Sequence, residues 1–133
     1  SALALGADFA YFGTKFIATE EANASPGYKQ MIIDSTADDI MYSATFTGVN
    51  GNYLRPSVEA AGLNPEEHTS GSKDDMNFST SAIAKKDNSS KAWKDIWGSG
   101  QGIGTIKDAP SVQTAVDQMV SEYEAAKSRL DNF

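Results

Sequence analysis

Two short stretches of this 133-residue chain carry residue types that can do chemistry with phosphate. The first is Gly13-Thr14, set directly after the apolar run Phe9-Ala10-Tyr11-Phe12 and before helix-forming sequence. A glycine at the end of a buried strand lets backbone N–H groups come close to a ligand, and phosphate is the usual one. Thr14 adds a hydroxyl beside them. The same dipeptide also suits a tight turn that uses glycine only for its backbone angles, and the pair alone does not separate the two readings. The second stretch is Gly98-Ser99-Gly100-Gln101-Gly102-Ile103-Gly104, where four glycines in seven positions bare the backbone to a flat or anionic ligand. Gln101, in its middle, offers a side-chain amide able to hydrogen-bond such a ligand. The dinucleotide fingerprint would need glycine where Ile103 stands, and no Lys-Ser or Lys-Thr follows to make a P-loop. A flexible surface connection is the competing reading.

Other chemistry is thinly supplied. His68 is the only histidine, in Glu66-Glu67-His68-Thr69-Ser70, and that polar setting reads as a solvated loop. There are no cysteines, so disulfides, thiolate metal sites and cysteine nucleophiles are all excluded. A metal would need an all-carboxylate site, and Asp38-Asp39 and Asp74-Asp75 lack calcium-loop spacing; the sequence assigns no metal. Trp93 and Trp97, with Tyr42, Tyr53 and Phe46, either line a pocket for a flavin or apolar substrate or are core.

The elements that must position these residues can be read from patterning. Leu3 to Gly6 reads as the end of a helix capped by Gly6, and Asp8 to Phe12 as a strand apolar on both faces, the kind found in parallel sheets covered by helices. Thr19 to Asn23 reads as a helical turn, and Ser25-Pro26 as a helix start leading to Tyr28, Met31 and Ile32. Asp38 to Thr47 alternates, with Ile40, Tyr42, Ala44 and Phe46 on one face and the wetter Met41, Ser43, Thr45 and Thr47 on the other. Gly48 to Gly51 turns the chain, Asn52 to Leu54 runs back, and Pro56 starts a short helix ending at Gly62. Residues 64–90 are polar and irregular, and Lys91 to Trp97 reads as a short helix followed by a short strand at Thr105-Ile106. Pro110 begins a long amphipathic helix with Val112, Ala115, Val116, Met119, Val120, Tyr123 and Ala126 on one side.

The totals bound the class. A 40% hydrophobic and 22% charged composition suits a single globular domain. A net charge of -7 with scattered lysines provides no basic face for nucleic acid. No apolar run approaches a membrane span, and the start lacks signal-peptide character, so a cytoplasmic setting is expected.

Two segments, LALGADFAYFGTKFIATEEANASPGYKQ (3–30) and KAWKDIWGSGQGIGTIKD (91–108), carry a family resemblance. The first resembles the barrel-ending segment of flavin-dependent nitronate monooxygenases, also called 2-nitropropane dioxygenases. These share a fold with the flavin-type enoyl-carrier-protein reductases. The second resembles the glycine–glutamine segment of the same family, with Ser99-Gly100-Gln101 where Ala-Gly-Gln is usual. The resemblance runs along nearly the whole chain, the polar middle being weakest.

The resemblance implies an α/β fold, namely the C-terminal part of a TIM (β/α)8 barrel (last strand and last helix) with a long inserted α+β subdomain. Residues 1–16 and 109–133 would be the barrel end, and 17–108 the inserted substrate or cap subdomain. It implies FMN, with Gly13 and Thr14 holding the phosphate and Gly100, Gln101 and Gly102 approaching the cofactor. Lys15 stands where arginine is common, which keeps the charge. The histidine proposed as catalytic base in the family would lie upstream, so no catalytic residue is assigned in this chain. The implied function is the C-terminal portion of an FMN-dependent oxidoreductase that oxidises alkyl nitronates with dioxygen. As a fragment it would bind FMN poorly and be inactive alone, its partners being a small-molecule substrate and the missing N-terminal barrel portion. The enzymatic alternative is an enoyl-carrier-protein reductase relative, and the non-enzymatic one is an acidic α/β module that binds a protein. A solvent-exposed strand at Phe9 to Phe12 would count against the barrel.

Overall fold

A computed structural model of the chain describes residues 2–46, 49–68 and 95–131, with the side chains of 67–68 left aside. The expectations for Asp74-Asp75, Trp93 and most of the polar middle lie outside these residues.

The chain opens with a turn in which the Gly6 N–H donates to the Leu3 carbonyl at 3.0 Å. Gly6 takes φ +92°, the left-handed conformation expected of a residue that caps a helix end. The strand expected at Asp8 to Phe12 is not formed. Phe9 is 90% and Tyr11 98% exposed, and the segment has no ladder partner among the described residues. A strand exists only by pairing with a neighbour, so apolar β-prone sequence without one stays irregular. Regular structure begins one residue after Gly13, with α1 (Thr14–Ile17). The helical turn expected at Thr19 to Asn23 is instead a series of bends.

Helix α2 (Pro26–Asp34) starts where Ser25-Pro26 placed it: the Ser25 Oγ accepts from the Tyr28 N–H at 3.2 Å, and Pro26 occupies the first helical position. Thr36 and Asp39 then form a reciprocal cap on a 3-10 turn at Ala37–Asp39, the Asp39 carboxylate accepting from the Thr36 N–H at 2.7 Å.

Strands β1 (Ile40–Ser43) and β2 (Gly51–Leu54) pair antiparallel, Ile40 opposite Leu54 and Ser43 opposite Gly51. The alternation in β1 is real but inverted relative to expectation. Met41 and Ser43 are buried, while Tyr42 is 62% exposed. Ser43 tolerates burial because its hydroxyl accepts from the Thr45 N–H at 3.1 Å. Beyond β2 a third segment joins: the Leu54 N–H donates to the Trp97 carbonyl at 2.8 Å, and Tyr53 forms an antiparallel bridge with Gly98.

Helix α3 (Arg55–Ala60) ends at Gly62, which takes φ +78°. The Gly62 N–H donates to Glu59 and the Leu63 N–H to Val58, the paired reverse bonds of a Schellman ending. The strand expected at Thr105-Ile106 is replaced by a 3-10 turn over Gln101–Thr105. Its Ile103 is fully buried with Ala18, Ile32, Leu54 and Ile106 in the main core. A second cluster joins Met41, Phe46, Val58 and Ile96.

The long C-terminal helix, α4 (Val112–Leu130), begins two residues later than Pro110 suggested, with Ser111 as its N-cap. The Ser111 Oγ accepts from the Thr114 N–H at 3.2 Å. The Glu21 carboxylate accepts from the Val112 N–H through both oxygens, at 3.0 and 2.9 Å, and so pins this end to the loop after α1. Ala115 is the one residue of α4 that is buried among those described. Val120 and Tyr123 on the expected apolar side are at least half exposed. Among the described residues no helix is long and apolar enough to cross a membrane.

Candidate functional site

The two glycine-containing stretches meet. The Gly100 N–H donates to the Thr14 Oγ1 at 2.8 Å across 86 positions of sequence. Each side of that contact is built locally. Gly13 caps α1 and its carbonyl accepts from the Phe16 and Ile17 N–H groups, so Thr14 is the first helical residue, a position whose own N–H has no intrahelical acceptor. Gly100 is extended at φ −83°, ψ 160° and caps the 3-10 turn, whose buried Ile103 anchors it in the core. Upstream, the segment is held by the Tyr53–Gly98 bridge and by the Tyr28 hydroxyl, which donates to the Gly98 carbonyl. The Tyr28 ring stacks on Trp97 with centroids 5.0 Å apart and planes 15° from parallel.

Thr14 and Gly100 open onto a cavity of about 340 Å³. Gly13, Thr14, Gly100 and Gly102 all line it; Gln101 is exposed and does not. An added Cβ at Gly13 or Gly102 would meet nothing within 4 Å, so bare backbone faces open space there. Lys15 contributes the cation. Its side chain is mostly buried, and its ammonium lies 3.9 Å from the Asp108 carboxylate, which leaves it only loosely paired. The far wall is α4, through Gln118, Met119 and Glu122. The sequence places Met119 on the apolar side of this helix but assigns none of the three to a site. Their spacing with Ala115 (115, 118, 119, 122) places them on one helical face, a signal obscured because that face mixes polar and apolar types.

Among the described residues, the aromatic side chains do not form one pocket. Tyr42 points to solvent, and Phe46 packs edge-on against Tyr53 in the second core cluster at 4.9 Å. Trp97 and Tyr28 border a separate, wider cavity of about 720 Å³, which touches the first at Gly13. Burial pushes the Tyr28 hydroxyl above its ordinary value of 10.0, so it is a neutral donor at physiological pH. His68 closes a 3-10 turn at Pro65–His68.

A profile of nitronate monooxygenase sequences matches residues 1–122. The chain belongs to the nitronate monooxygenase family. No protein of curated function matches it. Among solved structures this family member is similar to FabK from Thermotoga maritima, with a TM-score of 0.66 and 22% identity over 98% of this chain and 42% of that one. It is similar also to a methionine-to-alanine mutant of FabK, with a TM-score of 0.65, 22% identity and coverage of 98% and 38%. At that identity the likeness is one of fold. The chain spans about two fifths of the length of the structures it matches. Of the two residues expected at a phosphate, Gly13 and Thr14, and the three expected to approach the cofactor, Gly100, Gln101 and Gly102, all but Gln101 line one cavity of this family member.

Proposed function

We propose that this chain supplies the phosphate-holding part of an FMN site in an oxidoreductase that oxidises alkyl nitronates with dioxygen. The observation that carries this reading is the Gly100–Thr14 hydrogen bond, which joins two separated stretches at one cavity beside a lysine. The donor set fits a phosphate monoester. Lys15 opposes its charge, and Thr14, whose Oγ1 accepts from Gly100, keeps its own proton to donate. Gly13 and Gly102 let the ligand approach backbone N–H groups without a side chain in between. The volume lies near the low end of the ~300–1,000 Å³ typical of ligand pockets, so it suits the phosphate end alone. Bound FMN would supply the electron-transfer chemistry. This chain's residues bind and orient its charged end, with Gln101 approaching from outside the cavity.

In the same reading, residues 1–16 and 109–133 are the barrel end, and 17–108 form the insertion over the mouth, where barrel active sites lie. The exposed Phe9 to Phe12 run becomes a strand only when paired with the remaining barrel portion. The partner is the remaining barrel portion, and the catalytic base lies on it. Such an enzyme would work in the cytoplasm. The fold likeness to FabK favours one second reading, a flavin-dependent enoyl-carrier-protein reductase relative.

Amide NMR of the 133-residue chain tests the site. Titration with FMN and with inorganic phosphate should move the Gly13, Thr14, Gly100 and Gly102 amides with weak affinity, while riboflavin, which lacks the phosphate, should leave them in place. Shifts elsewhere only, or equal shifts with riboflavin, would remove the reading. Assaying the flavin-loaded whole enzyme, this chain together with the remaining barrel portion, with an alkyl nitronate and dioxygen, against an enoyl thioester and a nicotinamide donor, decides between the two reactions.

A further inference from the structure

We propose that Tyr28 is a positioning residue for the anion cavity: by holding Gly98 it fixes Gly100 against Thr14. The proposal rests on the phosphate reading of that cavity. Tyr28 does not line the cavity itself, so any effect on it must travel through the glycine segment. The path is short. The Tyr28 hydroxyl donates to the Gly98 carbonyl, and its ring stacks on Trp97, so one side chain grips two consecutive residues of the segment. The opposite edge of that segment is held by β2, through the Tyr53–Gly98 bridge and the Ser99 N–H donating to the Asn52 carbonyl at 3.3 Å. One residue further on, the Gly100 N–H reaches Thr14.

There is little slack on either side. A Cβ at Gly98 would come within 3.2 Å of the Asn52 carbonyl oxygen, and one at Gly27, next to Tyr28, within 3.4 Å of the Trp97 indole. The segment is therefore clamped between α2 and β2, and the Tyr28 hydroxyl is the polar tie on the α2 side. The ordinary phenol value of 10.0 already keeps that hydroxyl protonated at physiological pH, and burial raises it further, so the tie stays intact there.

The experiment compares the unmodified chain with Tyr28→Phe, which keeps the ring and its stack but removes the donor. Amide hydrogen exchange at Gly100 is read against a reference amide in α4, which corrects for any change in global stability. Exchange at Gly100 should quicken about two- to tenfold relative to the reference, the range expected for losing one neutral hydrogen bond, and the inorganic phosphate dissociation constant should rise by a similar factor. In a Thr14→Val background, where the Gly100 N–H has already lost its acceptor, Tyr28→Phe should add nothing. An unchanged Gly100 rate, or a Tyr28→Phe effect of the same size in both backgrounds, would overturn the proposal. If phosphate moves no amide of the unmodified chain, the phosphate reading falls, and the exchange comparison still decides whether Tyr28 positions Gly100.

Discussion

At the scale of single residues, polar groups with two partners carry the organisation. Ser57 is fully buried; its hydroxyl donates to the Leu54 carbonyl at 2.7 Å and accepts from the Trp97 N–H at 3.0 Å. It thus ties β2, α3 and the start of the glycine segment at one atom. Ser57→Ala leaves the Trp97 N–H without its acceptor and should cost about 1–3 kcal/mol, seen as a lower urea midpoint with an unchanged slope. Tyr28 gives a pH signature of known sign. Its folded value lies above the ordinary 10.0, so the folded state keeps the phenolic proton when the unfolded chain has lost it. The associated stability is fully present below pH 10.0 and is lost as pH rises from there through the raised folded value. Urea titrations between neutrality and strongly alkaline pH should show that decline, and Tyr28→Phe should remove this residue's share of it.

At the scale of elements, α4 is held at its start more firmly than along its length. Ser111 caps it from within, and Glu21 caps it from the loop after α1. The adjacent Glu20 N–H donates to the Pro110 carbonyl at 3.0 Å, so two neighbouring residues grip the helix entry. A carboxylate at a helix N-terminus also interacts favourably with the helix dipole. Ser111→Ala should cost about 1 kcal/mol, and Glu21→Ala about 0.5–1 kcal/mol, measured by urea unfolding. Glu21→Ala should in addition shift the Gln118 and Glu122 amides, because loosening the entry lets the far wall of the cavity move. Identical spectra for those two amides would show that the wall is set elsewhere.

At the scale of the whole molecule, apolar surface is left open on two elements. Leu5, Phe9 and Tyr11 at the N-terminal side, and Val120, Tyr123 and Leu130 on α4, are all at least half exposed. Apolar groups of this size in open water favour association. The isolated chain should therefore show an apparent mass that rises with concentration in sedimentation, and Tyr11→Glu combined with Val120→Glu should reduce that rise. A strictly monomeric chain at all concentrations would mean that the open faces are too dispersed to associate.

What was legible in the sequence was local. Ser25-Pro26 marked the start of α2, Gly62 marked the end of α3, and the period of three and four marked α4, because caps and helical spacing act within a few residues. The residues of the glycine stretches were also legible as types, four of which line one cavity. Three matters were decided only by tertiary structure. The run Phe9 to Phe12 is apolar enough for a strand, but a strand needs a neighbour, and none of the described residues provides one. The inward face of β1 was set by register against β2 and by Ser43 finding a partner, which composition alone ranks the wrong way. The contact between Gly100 and Thr14 joins residues 86 positions apart, and no local pattern encodes such a distance. Chemistry-bearing residue types are written in the chain, but their meeting depends on non-local packing of α2, β2 and the buried Ile103.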